Sequence, residues 1–224
     1  KAKKMGMTTV IDRGSSHMLY QQKILKEEYD KFGIKIQLAH PKIIEKELRE
    51  CFRKAEKDEK KGKKHKGLIL KEFNIDEAKR YIEKVNISLE LCDYYRKRGI
   101  DFKIPEEWFY ALYTCALVIL NKFGVESRSQ RYTALFIKYL QDKEIINYDE
   151  KFIRGIMVYQ EKDKRTFVDK REEARYGSEV KIKEVEEKYS GMMRLCREVL
   201  EETKEILYLN KKHEVPKELL IEDK

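Results

Sequence analysis

The chain has 224 residues, of which 41% are apolar and 41% are charged, enough for one hydrophobic core in a soluble globular protein. Only three prolines and ten glycines interrupt it. A sheet protein needs more breaks between its strands, so the composition predicts an all-α fold. The net charge of +9 favours a polyanionic partner such as nucleic acid, although the many acidic residues can neutralise much of the charge locally.

Cysteine usage and hydropathy exclude several other classes. The cysteines lie far apart, mostly at apolar-periodic positions, which predicts a reducing cytoplasm and neither a disulfide framework nor a zinc site. They are Cys51, Cys92, Cys115 and Cys196. The longest apolar run, residues 108 to 120, is shorter than the roughly 18 to 20 residues of a membrane span and predicts a buried helix. We expect no signal peptide, cofactor, metal or membrane partner.

Residues 1 to 64 are predicted to form an N-terminal extension with two helices. The stretch "RGSSHM" at 13 to 18 resembles a cloning scar but fits native sequence equally well. Apolar spacing predicts a helix over 19 to 32 that ends at Gly33, followed by a short extended piece. Pro41 is expected to open the second helix, whose apolar face runs from Ile43 to Ala55.

The second helix leads into "RKAEKDEKKGKKHKG", residues 53 to 67, with eight Lys or Arg against three acids. This stretch is the most basic of the chain and is predicted to be a linker. Two interpretations stay open: a solvated segment without a partner, or a mobile positive charge that contacts nucleic-acid phosphates. The residues proposed for phosphate contact are Lys60, Lys61, Lys63 and Lys64.

Residues 65 to 212 are predicted to form a bundle of about five helices, followed by a tail over 213 to 224. The first helix is capped by Asn74 or Asp76 and stopped by Gly99. The second starts at Pro105, is apolar on nearly every side and ends at Gly124. A shorter helix over 131 to 143, another from about residue 147, and a long one from Ile182 to Leu207 complete the bundle.

Three smaller features each have two interpretations. The polar cluster "ESRSQR", residues 126 to 131, is predicted to cap the next helix, or else to bind an anion at the helix N-terminus. His40 and His65 are expected at the surface or in the linker. Trp108 is expected to pack in the core, with base stacking as the second interpretation.

Four stretches, in order, resemble the HEPN family of small helical bundles, which is associated with RNA-cleaving toxins, defence proteins and partners of minimal nucleotidyltransferases. They are "HKGLI" at 65 to 69, "WFYALYTCALVILNKFGVES" at 108 to 127, "REEARY" at 171 to 176, and the closing helix with "REVLEETKEIL". The resemblance covers roughly residues 65 to 211. It implies a homodimer formed near the last helix and the segment 165 to 176.

In nuclease members, the resemblance implies an Arg followed after four to six residues by a His. Here Arg171 takes the first position, but Arg175 stands where a His is expected, and no His occurs between His65 and His213. Without imidazole the motif lacks the usual general acid or base near neutral pH. Tyr176 matches a related form of the motif that ends in Tyr, and tyrosine is a poor base at pH 7.

The segment therefore has three candidate roles: structural packing, binding of RNA or a nucleotide phosphate, and ribonuclease activity. Binding would use the forked guanidinium groups of Arg165, Arg171 and Arg175 together with Tyr176. Metal-independent ribonuclease activity would use Arg171 and Tyr176.

The favoured function is an RNA- or nucleotide-binding protein without nuclease activity. By the family resemblance, it would pair with a nucleotidyltransferase in a toxin–antitoxin-like system, and the partner would modify Tyr176. Two functions compete with this hypothesis: a dimeric, metal-independent ribonuclease, and a structural module for protein–protein interaction.

Overall fold

The computed structural model describes residues 40–148, 150–156, 182–210 and 213–220. The chain divides into two compact units, residues 1–42 and 43–224. Nearly all described residues belong to the second unit, to which the following account applies. The predicted helix over 19 to 32 lies outside the described residues.

The described part is a mainly helical bundle with one small sheet, which confirms the predicted all-α class. The helices are α1 (His40–Lys60), α2 (Ile75–Arg98), α3 (Ile104–Lys122), α4 (Gln130–Asp142), α5 (Glu150–Ile156) and α6 (Lys183–Tyr208). One-turn 3₁₀ segments cover Asp101–Lys103 and Lys217–Leu219. Residues 43 to 207 thus keep the predicted order of helices wherever they are described.

Helix α3 occupies the centre because its sequence is apolar on most sides. Pro105 lies in its first turn, where the missing N–H costs no hydrogen bond. Most of its residues from Ala111 to Asn121 are buried, and it packs mainly against α2 and α6. Trp108 is buried beside Tyr189 of α6, with ring centroids 6.0 Å apart, so its predicted core position is confirmed.

Helix α2 begins and ends at the predicted signals. The Asn74 side chain accepts a hydrogen bond from the Glu77 backbone N–H at 2.9 Å, so Asn74 is the N-cap. Gly99, with φ of 68°, ends the helix. Helix α5 starts at Glu150, a little later than predicted, and its described part ends at Ile156.

A two-stranded antiparallel sheet, which the sequence did not predict, joins the start of the bundle to the end of α3. Strand β1 (Leu68–Leu70) pairs with β2 (Val125–Ser127), with Ile69 opposite Glu126. Gly124 adopts φ of 69°, and a Cβ there would lie 2.7 Å from the Lys71 carbonyl oxygen. The chain therefore requires glycine at the point where it turns from α3 into β2.

Helix α1 belongs to the same hydrophobic core as the bundle. Ile44, Leu48 and Phe52 are buried, and the Phe52 ring packs edge-on against Phe136 of α4 with centroids 6.2 Å apart. The sequence pattern assigned this helix to an extension that ends at residue 64. The structure places residues 43 to 64 in the compact unit that also contains the bundle.

All four cysteines are free and buried, whereas the apolar spacing predicted burial for most of them. Within the described ranges, no helix combines the length and apolar character that crossing a membrane requires.

Candidate nucleic-acid interface

The basic stretch is a folded turn rather than an open linker over its described length. Helix α1 continues to Lys60, so the first half of the stretch is helical. The chain then reverses at Gly62, and the Lys63 N–H donates to the Asp58 carbonyl at 2.9 Å. We call residues 61 to 66 the basic turn. Hydrogen bonds hold its backbone against the end of α1, so its lysines extend from a backbone of fixed conformation.

The lysines of the basic turn are exposed and form no ion pair with a described residue. Lys60 forms an ion pair with Glu56 one helical turn earlier. Beyond it, no described acidic residue forms an ion pair with the lysines at positions 61, 63, 64 and 66. The predicted contact residues thus separate into one paired side chain, Lys60, and three unpaired ones, Lys61, Lys63 and Lys64. Unpaired exposed ammonium groups are available to an external anion.

His65, predicted at the surface or in the linker, belongs to the basic stretch but is buried, with only 3% of its surface exposed. Its Nε2 atom lies 3.5 Å from Glu126 Oε1, and among the described residues neither ring nitrogen has a hydrogen-bond partner. The expected surface exposure was wrong, because a run of lysines gives no sign that one position within it faces inward. The buried ring of His65 thus lies beside Glu126 of β2. The side chain of His40 lies outside the described residues.

Glu126, opposite His65, is the acidic centre of a small charge cluster. Arg128 Nε donates to its Oε1 at 2.9 Å, and Lys71 Nζ lies 3.5 Å from its Oε2. Burial raises the pKa of the Glu126 carboxyl, but Arg128 and Lys71 outweigh that effect and hold the pKa below its usual value. Glu126 is therefore ionised at neutral pH and already neutralised by its neighbours.

The small sheet brings the polar cluster at 126 to 131 beside the basic turn. The Arg128 N–H donates to the Gly67 carbonyl at 3.1 Å, directly after the basic turn. Ser129 accepts from the Tyr132 N–H at 3.4 Å and caps α4, so the predicted capping role is confirmed. Arg131 reaches Glu47 of α1 at 2.6 Å. Two segments that are distant in sequence thus form one surface.

A cleft of about 240 Å³ opens where this surface meets α1. Lys54 and Lys66 line it together with Tyr132, which presents the aromatic wall. Glu50 and Asp58 supply the carboxylates of the lining. Burial raises the pKa of the Tyr132 hydroxyl, so this group stays neutral at pH 7. The cleft combines an aromatic ring with flanking ammonium groups, and the sequence did not predict it because its residues come from three separate segments.

Cys51 lines the same cleft but is not set up as a nucleophile. Its sulfur accepts a hydrogen bond from the Leu68 N–H at 3.3 Å. Burial raises the pKa of the thiol to about 11, and the bond from Leu68 lowers it only partly. The thiolate is therefore scarce at neutral pH, and covalent chemistry through Cys51 is disfavoured.

The motif residues Arg165, Arg171, Arg175 and Tyr176 lie outside the described residues. The described part of the chain resumes at Ile182, whose N–H donates to the buried Asp101 carboxylate at 3.3 Å. No group of three His, Cys, Asp or Glu in the described ranges is arranged to hold a metal ion. Within those ranges, the basic turn and its cleft are the best candidate for a functional surface.

Comparison with known proteins returns no match: no family model, no curated protein and no solved structure matches this chain. The residues themselves must therefore support any proposal about function.

Proposed function

We propose that this protein binds RNA or a nucleotide phosphate through the basic turn and the adjoining cleft. The observation that carries the proposal is the set of exposed lysines on a fixed turn, unpaired among the described residues: Lys61, Lys63, Lys64 and Lys66. Their positive charge attracts phosphates, and counterion release on contact adds to the free energy of binding. Because the turn is hydrogen-bonded to α1, little backbone entropy is lost when a ligand binds.

Tyr132 supports a nucleic acid rather than a simple polyanion. Tyr132 lines the same cleft as Lys54 and Lys66, so one ligand can meet an aromatic ring and ammonium groups there. Proteins that bind single strands commonly combine positive charge with an aromatic stacking surface. Here the two carboxylates of the cleft balance its two lysines, so the positive charge comes from the basic turn beside the cleft. Lys66 and the tyrosine together favour unpaired RNA over a duplex whose bases are stacked inside the helix.

The resemblance to the HEPN family adds a second part to the proposal. On this resemblance, Arg165, Arg171, Arg175 and Tyr176 have a binding role. A nucleotidyltransferase is the partner, with Tyr176 as the acceptor of a nucleotidyl group. Since the motif lacks its histidine, we propose binding without nuclease activity.

The test compares two triple variants by titration of a fluorescent single-stranded RNA over a salt series. One variant carries Lys61→Gln, Lys63→Gln and Lys64→Gln. The matched control carries Lys46→Gln, Lys79→Gln and Lys183→Gln, which removes the same charge from exposed sites on three other parts of the surface. We expect the first variant to lose at least about tenfold in affinity and its salt slope to fall by about 2, at roughly 0.7 per lost phosphate contact.

Equal losses in both variants would mean that net charge, not the basic turn, governs binding, and absence of binding by the unmodified chain would refute the proposal. The same samples are analysed for RNA cleavage. Cleavage by the unmodified chain but not by Arg171→Ala would establish ribonuclease activity instead.

A further inference from the structure

Three separate segments line a cavity of about 590 Å³: the connection from β1 to α2, the end of α3, and residues 213 to 220. Small-molecule sites in proteins have volumes of roughly 300 to 1,000 Å³, so this cavity has the size of a ligand site. Among the described residues, it shares no lining residue with the cleft beside the basic turn. The proposal for nucleic acid therefore leaves this cavity without a role.

The walls of the cavity are mainly apolar. Phe123 and Val215 are buried within its lining, and the His213 ring packs against Phe123 with centroids 4.8 Å apart. Three further lining side chains are large, apolar and exposed: Leu70 at 56%, Phe73 at 44% and Leu220 at 43%. Single exposed apolar residues are common, but several that converge on one concave surface indicate a binding site. We call this site the apolar cavity.

Lys122, the last residue of α3, supplies a positive charge in a fixed position on the lining. Its Nζ donates to the Leu207 and Leu209 carbonyls, each at 2.9 Å, and lies 5.2 Å from the centroid of the Phe73 ring. No carboxylate among the described residues forms an ion pair with this ammonium group. An ammonium group has three N–H bonds and these contacts use two, so the third can donate to a ligand.

The other charged residues of the lining are paired elsewhere or exposed to water. Lys71 forms ion pairs with Glu77 and Glu126, which lie outside the lining. Three more are exposed, so water screens their charges: Glu72, Glu214 and Lys217. Lys122 is therefore the charge that a ligand meets next to an apolar wall, and an anionic group is complementary to it.

We propose that the apolar cavity binds a small carboxylic acid with an apolar body. The carboxylate accepts a hydrogen bond from the remaining N–H of Lys122, and the body covers Leu70, Phe73 and Leu220. A hydrogen bond between two charged groups is stronger than one between neutral groups, and the body removes exposed apolar surface from water. The proposal does not depend on nucleic-acid binding, because its residues lie outside the basic turn and its cleft.

Octanoate is the probe, and octanol, with the same chain length and no charge, is its neutral counterpart. The amide chemical shifts of the isotope-labelled full chain are followed as each compound is added. We expect octanoate to bind with a Kd of about 1 mM or lower, with the largest shifts at Leu70, Phe73 and Gly124. Shifts that do not saturate by about 20 mM octanoate, or that are largest away from the cavity, would overturn the proposal.

Lys122→Met tests the contact with the carboxylate, because methionine keeps an unbranched apolar side chain but has no ammonium group. Octanoate should lose about tenfold in affinity, the equivalent of one charged hydrogen bond, while octanol changes less than about twofold. Lys217→Met is the matched control: it removes an exposed lysine from the same lining and should change octanoate affinity less than about twofold. Equal losses of octanoate affinity in the two variants, or equal losses of both compounds in Lys122→Met, would refute the proposal.

Leu70→Glu tests the same charge preference without touching Lys122 or the end of α6. Leu70 is exposed, so the change leaves the core intact and adds a carboxylate to the lining. Octanoate should lose at least about threefold more affinity than octanol, because like charges repel. Thermal melts check that each variant is folded. A loss that is equal for the two compounds would exclude an anionic ligand group and refute the proposal.

Discussion

At the scale of single residues, Gly67 determines how closely the basic turn approaches α1. A Cβ at this position would lie 2.7 Å from Cys51 Sγ, 3.3 Å from the Cys51 carbonyl oxygen and 3.4 Å from Ala55 Cβ. The strand that follows therefore depends on the missing side chain, because the Leu68 N–H donates to the same sulfur. Close packing of this kind leaves no space for an added methyl group.

We predict that Gly67→Ala lowers the free energy of unfolding by about 1 to 3 kcal/mol, measured by denaturant titration. Gly191→Ala is the control: no atom lies within 4 Å of the added Cβ on α6, so this change should stabilise by up to about 1 kcal/mol. Adding Cys51→Ala to Gly67→Ala should recover part of the loss by removing the closest clash. If the losses in free energy of unfolding of the two single variants simply add in the double variant, the clash with Cys51 Sγ is not the cause.

Single-residue environments were the least predictable part of the site. The lysines at 61, 63 and 64 were predicted to be exposed from charge alone, and they are exposed. His65, in the same run, is buried next to Glu126, a residue distant in sequence. Tyr132 was not predicted for the same reason: its neighbours in the cleft come from α1 and the basic turn. Sequence periodicity carries no information about such distant contacts.

At the scale of elements, the helices were predictable because their signals are local. Asn74, Pro105 and Gly99 mark helix ends through their own backbone and side-chain chemistry, and the structure confirms all three. The small sheet was not predictable, because two strands of three residues that are far apart in sequence give no periodic pattern. It nevertheless builds the site, since it connects the basic turn to the start of α4.

Asn121 of α3 holds the start of α2 in place through its side-chain amide. Its Oδ1 accepts from the Asn74 N–H at 3.3 Å, and its Nδ2 donates to Glu77 Oε2 at 3.0 Å. Asn121 is buried, so losing either bond leaves an unsatisfied polar group.

We predict that Asn121→Asp lowers the free energy of unfolding at pH 7 by about 2 kcal/mol, because two carboxylates then face each other where a charged hydrogen bond existed. In a Glu77→Gln background the same change should cost much less, since the Gln amide can donate to Asp. Thermal or denaturant melts of the original protein, the two single variants and the double variant measure the coupling between residues 77 and 121. A cost that is equal in both backgrounds would exclude the Glu77 contact as its cause.

At the scale of the whole molecule, prediction and structure differ most in where the chain divides into compact units. The basic stretch predicted a boundary at residue 64, whereas α1 packs through Ile44, Leu48 and Phe52 into the core that α3 and α4 share. A charged surface stretch resembles a linker in composition even when its buried positions hold it to a core. The basic turn keeps its proposed geometry only if α1 does not unfold while the rest of the bundle stays folded.

Hydrogen exchange measures this cooperativity directly. We predict that amides in the middle of α1, around Leu48 to Ala55, exchange with a free energy of opening close to that of the α2 and α3 amides, because their side chains are buried in one cluster. Added denaturant should lower all three values with a similar slope, as expected for one cooperative unit. If α1 were a separate extension, it would unfold locally, and its amides would exchange with a lower free energy of opening than those of α2 and α3. The backbone of the basic turn would then not be held in one conformation, and phosphate binding would cost more backbone entropy than proposed.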